Sequence, residues 1–489
     1  MFRSHSCLLT ILLASSFLFP AYGAEYPEVL QRNSIPAFPG AEGAGSWTAG
    51  GRGGRVLVVT QLGDSGPGSF REACEAEGPR IVVFGVAGIV QLESQVDIQN
   101  PFITIAGQTA PGDGICIAGE TTAINTHDVI IRYVRFRRGN LKRRDDALGG
   151  NPIGNIMIDH VSASWGLDEN MSMYRHMRPI PGQVDAKLAT RNITIQWSIS
   201  SEALDLNNHA FGGTWGGENC NFHHNLFACN TGRNPSIGMS GMFDFRNNVL
   251  FNWVHRTMDG GDGSSQVNVV GNYYKPGPAT EGELRYRICR AQARNSRDKY
   301  PGFGKWYVTG NYVDSRPDIT ADNWAGGVQF DEAVQDKNEI IPAGTEEQTR
   351  WNEPFQAEPI RTQSAEQAFE FVMAQAGASL PHRDPVDLRV IESVRTGKVS
   401  YKKGIIEIPH DVGGYPAYVA EKSVVDTDQD GLPDDYEQQH RMNAKSASDA
   451  VADNDRDGYT NIEEYLNGTD PNQFIDYTDP QHNFNTLHQ

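Results

Sequence analysis

The chain has 489 residues, too many for one ordinary core; 38% are hydrophobic and 21% charged, which fits an elongated repeat body with a smaller module attached. A formal net charge of −19 argues against a nucleic-acid partner. No apolar run approaches the roughly 20 residues that a membrane span needs.

The N-terminus carries basic Arg3, an apolar run from Cys7 to Phe19 and small residues from Ala21 to Ala24. This pattern is a secretory signal peptide over residues 1–24. It predicts a secreted protein, or a periplasmic or cell-surface one if the source is bacterial. Cys7 opens the apolar run instead of ending it, which argues against a lipid-anchored cysteine. Beyond the leader stand Cys74, Cys116, Cys220, Cys229 and Cys289, too few for a disulfide scaffold and odd in number. Cys220 and Cys229 could bridge; the favoured reading is buried free thiols.

From about residue 55 the chain repeats short β-branched or aromatic runs, such as RVLVVT, VIIRYVRF, NITIQWSIS and FDFRNNVLF, each followed by a turn rich in Gly, Asn or Asp. Ser162, Ser198, Asn225, Asn248 and Asn272 recur with a basal period near 23 residues, lengthened by insertions. Stacked units with an in-register polar residue predict an all-β, right-handed parallel β-helix over residues 25–315. A β-sandwich would connect its strands by short hairpin turns instead. Inside the repeats, RYVRFRRGNLKRRDD (132–146) packs seven basic residues together, read either as a site for an anionic partner such as an acidic polysaccharide or as a solvated surface run.

Residues 316–420 read as an arm packed along the solenoid. Ser364 with Gln367 forms a capping box for a helix ending at Gly377. Asp384, Pro385 and Gly397 supply the N-cap, first turn and stop of a second helix.

Residues 421–489 hold 16 acidic and 4 basic side chains, which is −12 of the total charge. DTDQDGLPDDYE and DNDRDGYTNIEE both follow the spacing of a twelve-residue calcium loop. The first offers Asp426, Asp428, Asp430, Asp434 and Glu437, with Gly431 at the sharp turn. The second offers Asp453, Asp455, Asp457, Asn461 and Glu464. Two Ca²⁺ ions are therefore expected here, in a structural role. The loops also resemble those of dockerin modules, which implies a possible docking partner.

The repeat places other charges on one face. Arg233 and Arg256 each lie eight residues past a ladder asparagine, one coil apart. Asp145 and Asp146, then Asp168 and Glu169, then Glu202 and Asp205 occupy earlier coils. One reading is a structural ion-pair ladder. The other is that Asp146 and Asp168, with Glu169 or Glu202 as a further candidate, hold one Ca²⁺ against an anionic ligand that the arginines also grip.

FPGAEGAGSWTAGGRGGRVLVVTQLGDSGPGSFREA, PRIVVFGVAGIV, IDHVSASWGLDEN, the Arg-x-Pro of GRNP and NVVGNYYKPGPAT together resemble secreted pectate lyases of polysaccharide lyase family 1, from about Phe38 to Arg395. The resemblance implies calcium-dependent β-elimination on polygalacturonate by a monomer. It implies Arg233 as the base and Asp146 and Asp168 as calcium ligands, with Glu169 beside them. A guanidinium stays charged near neutral pH, so such a base implies alkaline activity. Two features depart from the family. Ser236, Ile237 and Gly238 stand where further arginines are usual, and no lysine lies between Ala203 and His209. Arg256 and His209 are the expected substitutes in substrate binding. The alternatives are a lyase for methylated pectin and a catalytically silent β-helix that binds acidic polysaccharide.

Overall fold

The computed structural model describes residues 30–206, 208–295, 298–337, 339–421 and 424–488; the expected signal peptide lies outside the described residues. Short strands wind into a parallel β-helix. Among the described residues one face is a 14-stranded sheet and another a nine-stranded sheet. A third face is built from shorter strands such as Val96–Ile98, Thr122–Ile124 and Leu148–Gly150. The register explains why this sequence stacks. Ile131, Ile158, Ile195, Phe222, Phe245 and Val269 lie directly above one another, each fully buried. Each such side chain contributes about 1.5–3 kcal/mol when removed from water, and no single coil could bury it alone.

The polar ladder runs beside this stack. The Asn248 side-chain oxygen accepts from both the backbone and side-chain nitrogens of Asn225, at 2.9 and 3.0 Å. Asn272 does the same for Asn248, Asn311 for Asn272 and Asn323 for Asn311. At the other end Ser198 donates its N–H to Asn225 and accepts from Val161. Stacking thus satisfies amides that would each be costly if buried unpaired. The ladder begins one residue away from the predicted Ser162. Ser162 pairs with Ile199, so Val161 fills the ladder slot, and the Ser162 hydroxyl instead donates to Asp387 at 2.6 Å. The coil between them carries an inserted antiparallel hairpin, Arg175–Arg178 with Ala186–Ala189, which obscures the spacing.

Both arm helices form as their caps dictate. Ala365–Gln375 starts with the Ser364–Gln367 capping box, and Pro385–Thr396 runs from N-cap Asp384 to a left-handed Gly397. Their apolar residues Phe369, Val372, Val390 and Val394 pack on Ile199, Leu226 and Val249 of the nine-stranded sheet. This arm also answers the question posed by the basic run. Arg132, Arg135, Arg137 and Arg138 are all at most 3% exposed. Arg137 is bonded to Asp384 at 2.8 Å and Asp387 at 3.0 Å, Arg132 to Asp159 at 2.9 Å and Arg138 to Glu120 at 3.0 Å. Most of that charge is neither a polysaccharide surface nor a solvated run. It ties neighbouring coils and the arm together. The five described cysteines are free and buried, so Cys220 and Cys229 do not bridge.

The C-terminal segment packs back onto the first coils. Leu432, Ala450, Ile462 and Leu466 are buried against Ile81, Val83 and Ala106 on the outer side of the 14-stranded sheet. Among the described residues no helix is long and apolar enough to cross a membrane.

A candidate active-site groove

Five consecutive coils bring one row of residues to the third face. Ala147 donates to the Glu169 carbonyl, Glu169 bridges Phe211, Phe211 bridges Gly232, and His255 donates to Thr231. The row therefore reads Asp146, Glu169, Phe211, Arg233 and Arg256 from one end to the other. Carboxylates stand at one end and guanidinium groups at the other, with an aromatic ring between them.

The acidic end lines a cavity of about 360 Å³ that includes Asp146, Asp168, Glu169, Ser172, Thr214 and Arg233. Asp146 accepts the Glu169 N–H at 3.2 Å. Burial, together with the charges of Glu169, Asp168 and Asp145, pushes its pKa well above the usual carboxylate range. Asp168 contacts Arg144 at 3.2 Å and also the His209 ring. Glu169 accepts from Ser172, from Thr214 at 2.7 Å and from Arg233. Hard carboxylate oxygens from adjacent coils, with Asp146 under strong negative potential, suit Ca²⁺.

Arg233 stands where this cavity meets a second one of about 570 Å³; both are lined by Tyr174, Thr214 and Arg233. The second cavity adds Arg256, Lys187, Arg294 and Lys299. The guanidinium carbons of Arg233 and Arg256 lie 4.4 and 4.6 Å from the centre of the Phe211 ring, so the ring supports both cations. Arg256 is also held by Asp259 at 3.3 Å. The turn that carries Arg233 is fixed by buried amides. Asn170 donates to Asn230 at 3.1 Å, Asn230 to Asn234 at 3.2 Å and Asn234 to the Arg256 carbonyl at 2.9 Å. Arg233 itself takes a left-handed backbone, with φ of 51°.

Glu202 does not join the row. Both its oxygens are bound by Arg389 of the second arm helix, and the Trp165 indole also donates to it at 3.3 Å. Its coil contributes Phe211 to the row instead. His209 sits at the acidic end against Asp168, with Arg144 3.1 Å from its Nε2, rather than among the arginines. Burial holds its pKa below the ordinary value. Phe211 and Lys187 carry no signal in the sequence. A lone Phe after a polar turn looks like core, and Lys187 lies in a hairpin insertion outside the repeat.

In the tail, Asp428, Asp430, Glu437 and Asp449 offer oxygens within 4.8 Å of one another, and Asp453, Asp455 and Asp457 form a second such group. Asp426 instead accepts three backbone N–H groups of its own loop, and Asp434 binds Thr427. Asn461 accepts the Asn454 N–H at 3.3 Å and donates to the Asp449 carbonyl at 2.8 Å. Glu464 is buried beside the second group, with both oxygens unpartnered among the described residues.

No protein-family model matches the chain. Among solved structures, a pectate lyase of Bacillus sp. N165 in complex with trigalacturonate has a TM-score of 0.42 at 16% identity, covering 70% of this chain and all of that one. Pectate lyase C of Erwinia chrysanthemi gives a TM-score of 0.43 at 14% identity, covering 71% and 99%. The sequence relatives are much nearer. A probable pectate lyase C of Aspergillus flavus is 36% identical over 452 residues, covering 90% of this chain and 96% of the relative. Those of Aspergillus oryzae and Emericella nidulans are each 35% identical over comparable spans. Identity sustained over nearly the full length of both chains means that this chain belongs to the pectate lyase family.

Proposed function

We propose that the protein is a secreted, monomeric lyase that cleaves polygalacturonate by calcium-dependent β-elimination in the groove. The observation that carries this reading is the place of Arg233, at the junction of a carboxylate-lined cavity and a cation-lined one. Asp146, Asp168 and Glu169 would hold the ion. Bound Ca²⁺ would neutralise a uronate carboxylate and so acidify the proton on C5 of that sugar. Arg256, on the next coil, grips a substrate carboxylate and orients the ring toward Arg233. A nitrogen of Arg233 takes the C5 proton. The C–H electron pair becomes the C4–C5 double bond, and the C4–O bond breaks with its pair going to the departing sugar oxygen. Arg233 is bonded to Glu169, and a base must first give up that contact to reach the C5 proton.

The test is to incubate purified protein with polygalacturonate, in Ca²⁺ or in chelator, and follow ultraviolet absorbance of the unsaturated product. A calcium-dependent rise is expected. Faster reaction on highly methylated pectin would replace this reading with a pectin lyase. Binding of polygalacturonate without product would replace it with a silent binding protein.

A further inference from the structure

The two acidic loops of the tail differ in how they are completed. In the second, the first-position acid Asp453 belongs to the cluster with Asp455 and Asp457. In the first, its counterpart Asp426 is absent from the cluster, and Asp449 from the connection between the loops takes the place. An independent observation points to a ligand at each site. Glu437 is fully buried and Glu464 is 1% exposed, and among the described residues neither carboxylate has a hydrogen-bond partner for either oxygen. Asp430, 3% exposed, also has one unmatched oxygen, and Asp428 has two. Buried carboxylates without partners are very costly unless a cation meets them.

The loops are also built into the solenoid. Gly431 and Gly458, the sixth residues of the loops, have φ of 90° and 106°. A Cβ on Gly431 would stand 2.8 Å from Val56, and one on Gly458 2.8 Å from Ile35. Polar contacts continue the joint. Arg52 pairs with Glu463 at 2.8 Å, Tyr459 donates to the Pro36 carbonyl at 3.0 Å, and Arg132 donates to Asn467 at 2.9 Å.

We propose that the tail is a two-ion calcium clamp that fastens the C-terminal end of the chain to the first coils. Asp449, outside both loop motifs, completes the first site with Asp428, Asp430 and Glu437. Glu464 completes the second with Asp453, Asp455 and Asp457. All these donors are hard oxygens, which select Ca²⁺ over softer metals. Without ions the facing carboxylates repel, the loops open, and Leu432, Ile462 and Leu466 lose their seat on Ile81 and Val83. The helices of the tail spend their apolar residues on the solenoid, which favours a fastening role over docking to another protein.

The experiment is calorimetric Ca²⁺ titration of the full chain, stripped with chelator, in an Asp146→Asn background that removes the groove ion from the count. Two ions per chain are expected. Asp449→Asn should weaken one of them about tenfold or more and leave the other unchanged, as a lost ligand charge does. Asp428→Asn should give the same result, so misfolding of one variant leaves the other to decide. Glu464→Gln should weaken the other ion. Limited proteolysis between residues 413 and 425, together with thermal melting, should show the tail protected by Ca²⁺ and released by chelator. Two ions bound at parental affinity in both Asp449→Asn and Asp428→Asn would overturn the site. Protection and melting indifferent to Ca²⁺ would overturn the clamp. Neither outcome depends on whether the groove cleaves pectate.

Discussion

The groove and the tail both gather carboxylates, and they treat the charge in opposite ways. In the groove the protein supplies its own cations: Arg144 and His209 meet Asp168, and Arg233 meets Glu169. In the tail no side-chain cation among the described residues meets Glu437 or Glu464, and burial beside neighbouring acids pushes them up to about 8 and about 9. A site whose counter-charges are its own side chains can trade them for a charged ligand and take them back. A site with none is completed only by an ion that stays. The first arrangement suits turnover, and the second suits permanence.

That contrast can be broken from either side. The largest effect is expected from Arg233→Ala, which should lower kcat on polygalacturonate about 10³-fold, as loss of a general base does. It should leave the calcium-dependent melting shift in place; unchanged kcat would remove Arg233 from the chemistry. A third treatment of charge, the matched and buried pair, predicts the next effect. Burial alone would raise the pKa of Asp384, but Arg137 and Arg135 bring it down to about 2. Its stabilising contribution is therefore present above the unfolded value of about 3.9 and lost as pH falls through about 2. Asp384→Asn should cost about 3–5 kcal/mol by denaturant unfolding at neutral pH, since it leaves Arg137 buried and poorly paired. The loss should shrink as the parent protein is acidified.

Smaller effects sharpen the comparison. Asp168→Asn should raise the Ca²⁺ needed for half-maximal activity about tenfold, by loss of a ligand charge, while the fall in melting temperature caused by chelator stays as it was. Glu464→Gln should do the converse. If both variants move both readouts, the two regions are coupled and the contrast fails. The smallest shift belongs to Glu202→Gln, which should leave the Ca²⁺ requirement of the activity unmoved, since Arg389 already holds that carboxylate.

The features legible in the sequence are those that repeat or sit beside one another in the chain. The asparagine ladder announced itself by its period, and the arm helices by their caps. Both forms of signal are local, because the same physical demand recurs at a fixed spacing. The misreadings came from partners far along the chain. The offset of Glu202 from Ser198 suggests a calcium ligand, but its partner Arg389 lies 187 residues away. The basic run looked like a surface because its acids, Asp384 and Asp387, come about 250 residues later. Asp449 carries no motif signal because it lies outside both loops. In the groove Arg233, Arg256, Glu169 and Asp146 do share one row, as their offsets implied. The ring of Phe211 between them carried no signal, since a buried Phe has the same sequence appearance whether or not cations rest on it.

The asparagine ladder has a consequence for how such a protein can change. Its contacts join residues 23, 24 and 39 positions apart with bond lengths of 2.9–3.0 Å. Register is thus read at one edge of each coil, and the length of chain on the groove side is left free. The two antiparallel hairpins that supply Lys187 and Arg294 are insertions of this kind. Substrate preference could drift by exchanging those hairpins while the stack beneath them keeps its count.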